Sequence, residues 1–146
     1  MSEATQPAEP YILFELAGAT YGLPSRLVRH VEMVEQVTPV PNAPACVEGV
    51  VSSRGKIIPA LSLRLRFGFP RVPHSLRTRL IVVQSGDRTV GMLADSAREF
   101  VSIAPDAIRP PPSSAGGLGG AYLAGVATLG ERLVLILDST AVLDIS

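Results

Sequence analysis

The chain repeats itself, and that limits what it can fold into. The segment ILFELAGATYGLPSRLVRHVE (12–32) lies over IVVQSGDRTVGMLADSAREFV (81–101) without a gap. Ile12 falls on Ile81, Gly22 on Gly91, Arg29 on Arg98 and His30 on Glu99. A second pair, GVVSSRGKIIPAL (49–61) and GVATLGERLVLIL (125–137), aligns at a slightly larger offset. Gly49 then falls on Gly125, Lys56 on Arg132 and Leu61 on Leu137. The extra residues of the second copy fit a loop at SSAGGLGG (113–120). Whatever unit the first half builds, the second half should build again.

The unit is made of strands. Short runs rich in Val, Ile and Leu, bounded by Gly, Pro or Ser, occur at 11–16, 20–23, 46–52, 56–63, 80–85, 89–94, 122–129 and 132–138. Each half reads as strand, turn, strand, short turn, strand, Pro-rich link and hairpin, about five strands. Half of 146 residues is small for an independent core, so two halves should share apolar surface. The expected fold is all-β: two similar five-stranded barrels from an internal duplication. The first barrel is expected mainly from 11–65 and the second mainly from 80–146. The link is expected at 66–79, and 1–10 is read as a disordered tail. Short helical turns are expected at 25–28, 62–67 and 139–143.

Composition narrows the function. Hydrophobic residues are 47% of the chain, enough for a real core, and the formal net charge is zero. A dedicated nucleic-acid binder would normally be basic. Arg64, Arg66, Arg71, Arg77 and Arg79 form one basic stretch, read as a solvated linker and helix face rather than a phosphate track. The lone Cys46 forms no internal disulfide and suits a reducing compartment. The N-terminus lacks the basic and apolar regions of a signal peptide, and no apolar run reaches the ~18 residues of a membrane span. The expectation is a cytoplasmic protein without direct membrane insertion.

Chemistry is scarce. His30, His74 and Cys46 lack metal-ligand spacing. No phosphate-binding loop or nucleophile elbow occurs. Asp95 and Asp138 each follow a strand and are read as caps. Neither a cofactor nor a metal is expected, and the chain reads as a non-enzyme. A small ligand-binding β-barrel is the alternative from another class.

One stretch asks for more. In VEGVVSSRGKIIPALSL (47–63), two apolar flanks enclose Ser52-Ser53-Arg54-Gly55. A turn needs the Gly; it does not need the Arg. The run TPVPNAPACVEGVVSSRGKIIPALSLRLRFGF resembles the CheW-like domain, through Pro41, Pro44, Val47, Gly49, Val50, Arg54, Gly55, Ile57, Ile58, Pro59, Leu63 and Phe67. FELAGATYGLPSRLVRHV, VGMLADSAREFVSI and YLAGVATLGERLVLILDSTAVL are similar to further motifs of that family, so the resemblance spans Tyr11 to Leu143.

The resemblance implies two SH3-like five-stranded barrels and an adaptor coupling chemoreceptor tips to the regulatory domain of a CheA-type histidine kinase. Other CheW-like proteins are further possible partners. It implies a receptor groove between the barrels, faced by Val28, His30 and Arg54. Gly49 and Gly55 shape the hairpin, and Ser53 and Lys56 flank its turn. Kinase-contacting residues stay unassigned.

The departures from the family pattern fall at that groove. Its Asn-Leu-Arg-Gly reads Ser52-Ser53-Arg54-Gly55, an expected Glu reads His30, and an expected Asp reads Ser62. Three altered groups around one groove suggest a changed partner or an accessory adaptor that binds receptors without the kinase; the alternative is that they are tolerated changes in an ordinary adaptor.

Overall fold

A computed structural model describes residues 7–111 and 119–144. The strands are β1 (Glu9–Leu16), β2 (Ala19–Pro24), β3 (Val28–Met33), β4 (Val47–Ser53), β5 (Lys56–Ser62), β6 (Arg79–Ser85), β7 (Arg88–Ala94), β8 (Ser96–Ile103), β9 (Ile108–Arg109), β10 (Leu123–Leu129) and β11 (Arg132–Leu137). The helices are short: α1 (Leu63–Arg66), α2 (Ser139–Leu143) and single 3-10 turns, including Ser25–Leu27. Ser62 and Asp138 cap α1 and α2 by accepting from Leu65 N and Ala141 N. The all-β fold with helical turns is as expected. β1 starts at Glu9, pairing with Ile103, so part of the stretch read as a tail is strand. Residues 1–6 and most of the 113–120 loop lie outside the described residues.

The strands form two sheets, ordered β8-β1-β2-β11-β10-β9 and β3-β6-β7-β5-β4. This corrects the division into 11–65 and 80–146. Each barrel takes its first hairpin from one copy of the repeat and the rest from the other: β1–β2 join β8–β11, while β6–β7 join β3–β5. The 66–79 link is not the seam, since β5 and β6 lie in the same sheet. The chain crosses between barrels at the 25–27 turn and at Asp95.

Duplication shows in the pairing register. Each sheet contains one parallel pair, with Ala60 opposite Gly91 in one and Ile136 opposite Gly22 in the other. Irregularities recur at matched positions, between Val47 and Gly49 and between Leu123 and Gly125.

The exchange explains why both copies need near-continuous apolar strands. Tyr11 and Leu13 point into one barrel's core with Ala127, Val134 and Ile136. Their counterparts Leu80 and Val82 point into the other with Val51, Ile58 and Ala60. The alternate residues, Ile12 and Phe14 on β1 and Ile81 and Val83 on β6, meet in a third core between the barrels. Each exchanged hairpin is thus buried on both faces. An aromatic row, Phe14–Tyr21–Phe67–Tyr122, runs through the shared core with centroid spacings of 5.9, 5.7 and 5.2 Å.

The basic stretch is engaged in holding this unit together. Arg64 grips Asp95 with two bonds of 2.9 and 2.8 Å, and Asp95 also accepts from Ala17 N at 3.0 Å. Burial pushes the Asp95 carboxyl up, but the bonds from Arg64 and Ala17 outweigh it and hold the group below its usual value. Arg66 donates to the carbonyls of Val142, Ala141 and Asp144 at the end of α2 and lies 4.7 Å from the Tyr122 ring centre. Arg71 pairs with Glu48, Arg77 with Glu15, and Arg79 with the carbonyls of Leu76 and Thr78. Asp95 serves as this clamp rather than as a helix cap.

Candidate interaction site

Arg54 and Gly55 are the two central residues of the β4–β5 turn, closed by the Ser53–Lys56 pair. Both have positive φ, +49° and +82°, the geometry of a type I′ turn. Gly55 adopts it freely; a residue with a Cβ does so at a cost. The equivalent hairpin of the other barrel, between Leu129 and Arg132, places Gly130 at the position of Arg54, with φ +62°. Arg54 is exposed and makes no hydrogen bond or ion pair among the described residues. Nothing inside the fold accounts for an arginine there.

Two clefts flank it. One is lined by Arg29, His30, Ser53, Arg54 and Lys56, over a floor of Ile58 and Val82. The other is lined by Glu32, Met33, Glu35, Arg54 and Ile57. Arg54 stands on the rim between a basic cleft and a partly acidic one. Both clefts are lined wholly by the β3-β6-β7-β5-β4 barrel and the segment that follows β3. Met33 and Ile57 stand out of the surface at 57% and 69% exposure.

β3 and β4 are the outer strands of their sheet, yet their side chains meet. His30 Nε2 lies 3.0 Å from Ser53 Oγ, Ser53 Oγ donates to Glu32 Oε2, and His30 also meets Glu32. This polar bridge, with the Thr38–Val50 backbone pair (2.9 and 2.8 Å), brings the sheet edges together. Ser53 is 5% exposed and takes part in this closure while lining the cleft. Glu32 was not singled out from the sequence; its place two residues from His30, on the same face of a strand, was the available signal. It restores a carboxylate beside the position where the family's Glu is missing. Ser and Glu both approach the same ring nitrogen, so the trio is not arranged as a hydrolytic relay, in which they would use opposite nitrogens.

Val28 and Gly49 line neither cleft. Val28 packs half-buried against the shared core. A Cβ on Gly49 would lie 2.1 Å from Thr38 O, the carbonyl that accepts from Val50 N. The structure thus brings His30, Ser53, Arg54 and Lys56 together around one cleft, with Gly55 setting the turn, and leaves Val28 and Gly49 outside it.

Two interlocked barrels from a duplicated chain, with a charged hairpin tip beside open clefts, are the architecture of a CheW-like scaffold. The CheW-like domain family matches residues 10–146, and the chain belongs to that family. It is 33% identical over 130 residues to the chemotaxis protein CheW of Klebsiella aerogenes, covering 89% of this chain and 78% of that one. To the CheW of Bacillus subtilis it is 26% identical over 144 residues, with 99% and 92% covered. To the protein FrzA of Myxococcus xanthus it is 32% identical over 115 residues, with 77% and 70% covered. The solved scaffolding protein TtCheW from Thermoanaerobacter tengcongensis superposes with a TM-score of 0.83 at 30% identity, over 90% of this chain and 89% of that one. Among the described residues no helix is long and apolar enough to cross a membrane.

Proposed function

We propose that this chain is a non-enzymatic, cytoplasmic chemosensory adaptor that couples a chemoreceptor tip to the regulatory domain of a CheA-type histidine kinase. Arg54 carries the reading: an exposed arginine in a left-handed turn, without a partner among the described residues, beside clefts that can take side chains. Strain kept where the fold gains nothing points to a contact with another molecule. A receptor tip is a helical hairpin, and its apolar side chains would cover Met33 and Ile57 while Arg54 bonds a carboxylate or carbonyl. By holding receptor and kinase together the adaptor raises their effective concentration and shifts the kinase between its states.

The barrel interiors, filled by apolar side chains, support this over a small-ligand barrel. The engaged arginines of 64–79 support it over nucleic-acid binding. The test is titration of the purified chain with a receptor tip and, separately, with the kinase regulatory domain, each with Arg54→Asn. Binding to both, with Arg54 needed for the receptor, is expected. Binding to the receptor alone would make the chain an accessory adaptor; binding to neither would overturn the reading.

A further inference from the structure

The duplication supplies an internal control for the basic cleft. In the barrel that contains β1 and β2, Glu99 on β8 and Arg132 at the start of β11 form an ion pair of 3.0 Å. Their counterparts in the other barrel are His30 and Lys56. With His30 where the repeat has an acid, that pair is not made. His30 is held by Glu32 and Ser53 instead. Lys56 is exposed and pairs with no carboxylate among the described residues. Among the described residues Arg29 reaches only the amide oxygen of Gln84, at 3.3 Å. The cleft lined by Arg29, Arg54 and Lys56 therefore holds three cations and no acid among its lining residues, over an apolar floor. The chain as a whole has no net charge, and Glu32, the carboxylate that touches lining residues of this cleft, is taken up by His30 and Ser53.

We infer that this cleft is a specificity pocket for an acidic side chain on the partner helix, and that His30 is what opens it by leaving Lys56 unpaired. Arg54 and Lys56 flank Gly55 and both line the cleft, so a partner carboxylate entering it can meet both. A low-dielectric floor strengthens each interaction relative to open water. The inference rests on the adaptor reading, and it names the chemistry that selects the receptor: an acidic position next to an apolar one that covers Ile57. His30→Glu would rebuild the pair seen between Glu99 and Arg132 and place a competing carboxylate in the pocket.

Lys56 is the only lysine in the chain, so reductive methylation with 13C-formaldehyde puts one ε-probe on the protein besides its N-terminus. The probe partner is a soluble chemoreceptor tip hairpin and its variant with surface Glu and Asp changed to Gln and Asn. We expect the Lys56 resonance to shift on adding the tip. Lys56→Gln and His30→Glu should each weaken binding about tenfold and flatten its salt dependence. The neutralised tip should lose about as much, with little added loss in Lys56→Gln. Unchanged affinity and salt slope in both variants, with Arg54→Asn still impaired, would overturn the pocket and leave the adaptor reading intact. A wild-type chain that binds no tip would overturn both. A Lys56 shift with inorganic phosphate, while tip binding ignores Lys56→Gln, would make it a small-anion site and overturn the partner assignment.

Discussion

Arg54→Asn should make the protein more stable and worse at its job. A left-handed conformation costs a residue with a Cβ about 1–2 kcal/mol, and Asn avoids much of that by bonding its own backbone. Arg54 has φ +49° and no bond to lose among the described residues, so the exchange should stabilise the fold by about 0.5–1 kcal/mol. In a chain of this size that raises Tm by about 2–4 °C. Arg54→Ala keeps the Cβ and gains no local bond, so its stability should stay within about 0.5 kcal/mol of wild type. Binding should move the other way. Truncating a central interface arginine commonly costs about 2 kcal/mol or more, about thirtyfold in Kd. Urea unfolding with an unchanged m-value reads the first effect, and titration with a receptor tip reads the second. An Asn variant less stable than wild type by more than about 0.5 kcal/mol would show that the guanidinium serves the fold. An Asn variant with unaltered Kd would show that the strained arginine is not a contact.

Other substitutions probe the scaffold. Gly49→Ala should destabilise by about 3 kcal/mol or more, since the new Cβ would sit 2.1 Å from Thr38 O; an ordinary urea midpoint would refute the close approach. Arg66→Met should cost about 2 kcal/mol through its lost carbonyl bonds and ring contact, read by thermal unfolding, with α2 loosening first in amide exchange. Ser53→Leu should destabilise by about 1–2 kcal/mol because it breaks the closure to His30 and Glu32 at a buried site. The Asp95 clamp gives a pH signature. Its folded pKa is lowered, so its stabilisation is complete above the unfolded value near ~3.9 and is lost as pH falls through the folded one. The stability gap between wild type and Asp95→Asn should therefore be constant near neutrality and shrink below about pH 4; a gap that persists at lower pH would refute the clamp.

Much of this was legible in the chain because the information is local or repeated. The matched glycines and apolar positions of 12–32 and 81–101 determined that one strand unit is built twice, and the Val- and Ile-rich runs determined that it is a β unit. The oddity of Arg54 beside Gly55 could be seen without coordinates, because a turn asks for glycine and not for arginine. Which hairpin joins which barrel was decided only in three dimensions. β1–β2 and β6–β7 are apolar on both faces and interchangeable in pattern, so the sequence is equally satisfied by barrels made from its own halves or by exchanged ones. The exchanged arrangement buries Phe14 and Ile81 against each other's barrel in one common core. The closure by His30, Ser53 and Glu32 was likewise hidden, since it joins the outer strands of a sheet whose order the sequence does not encode. Strand periodicity says which way a side chain faces; only the assembled barrel says which side chain faces it.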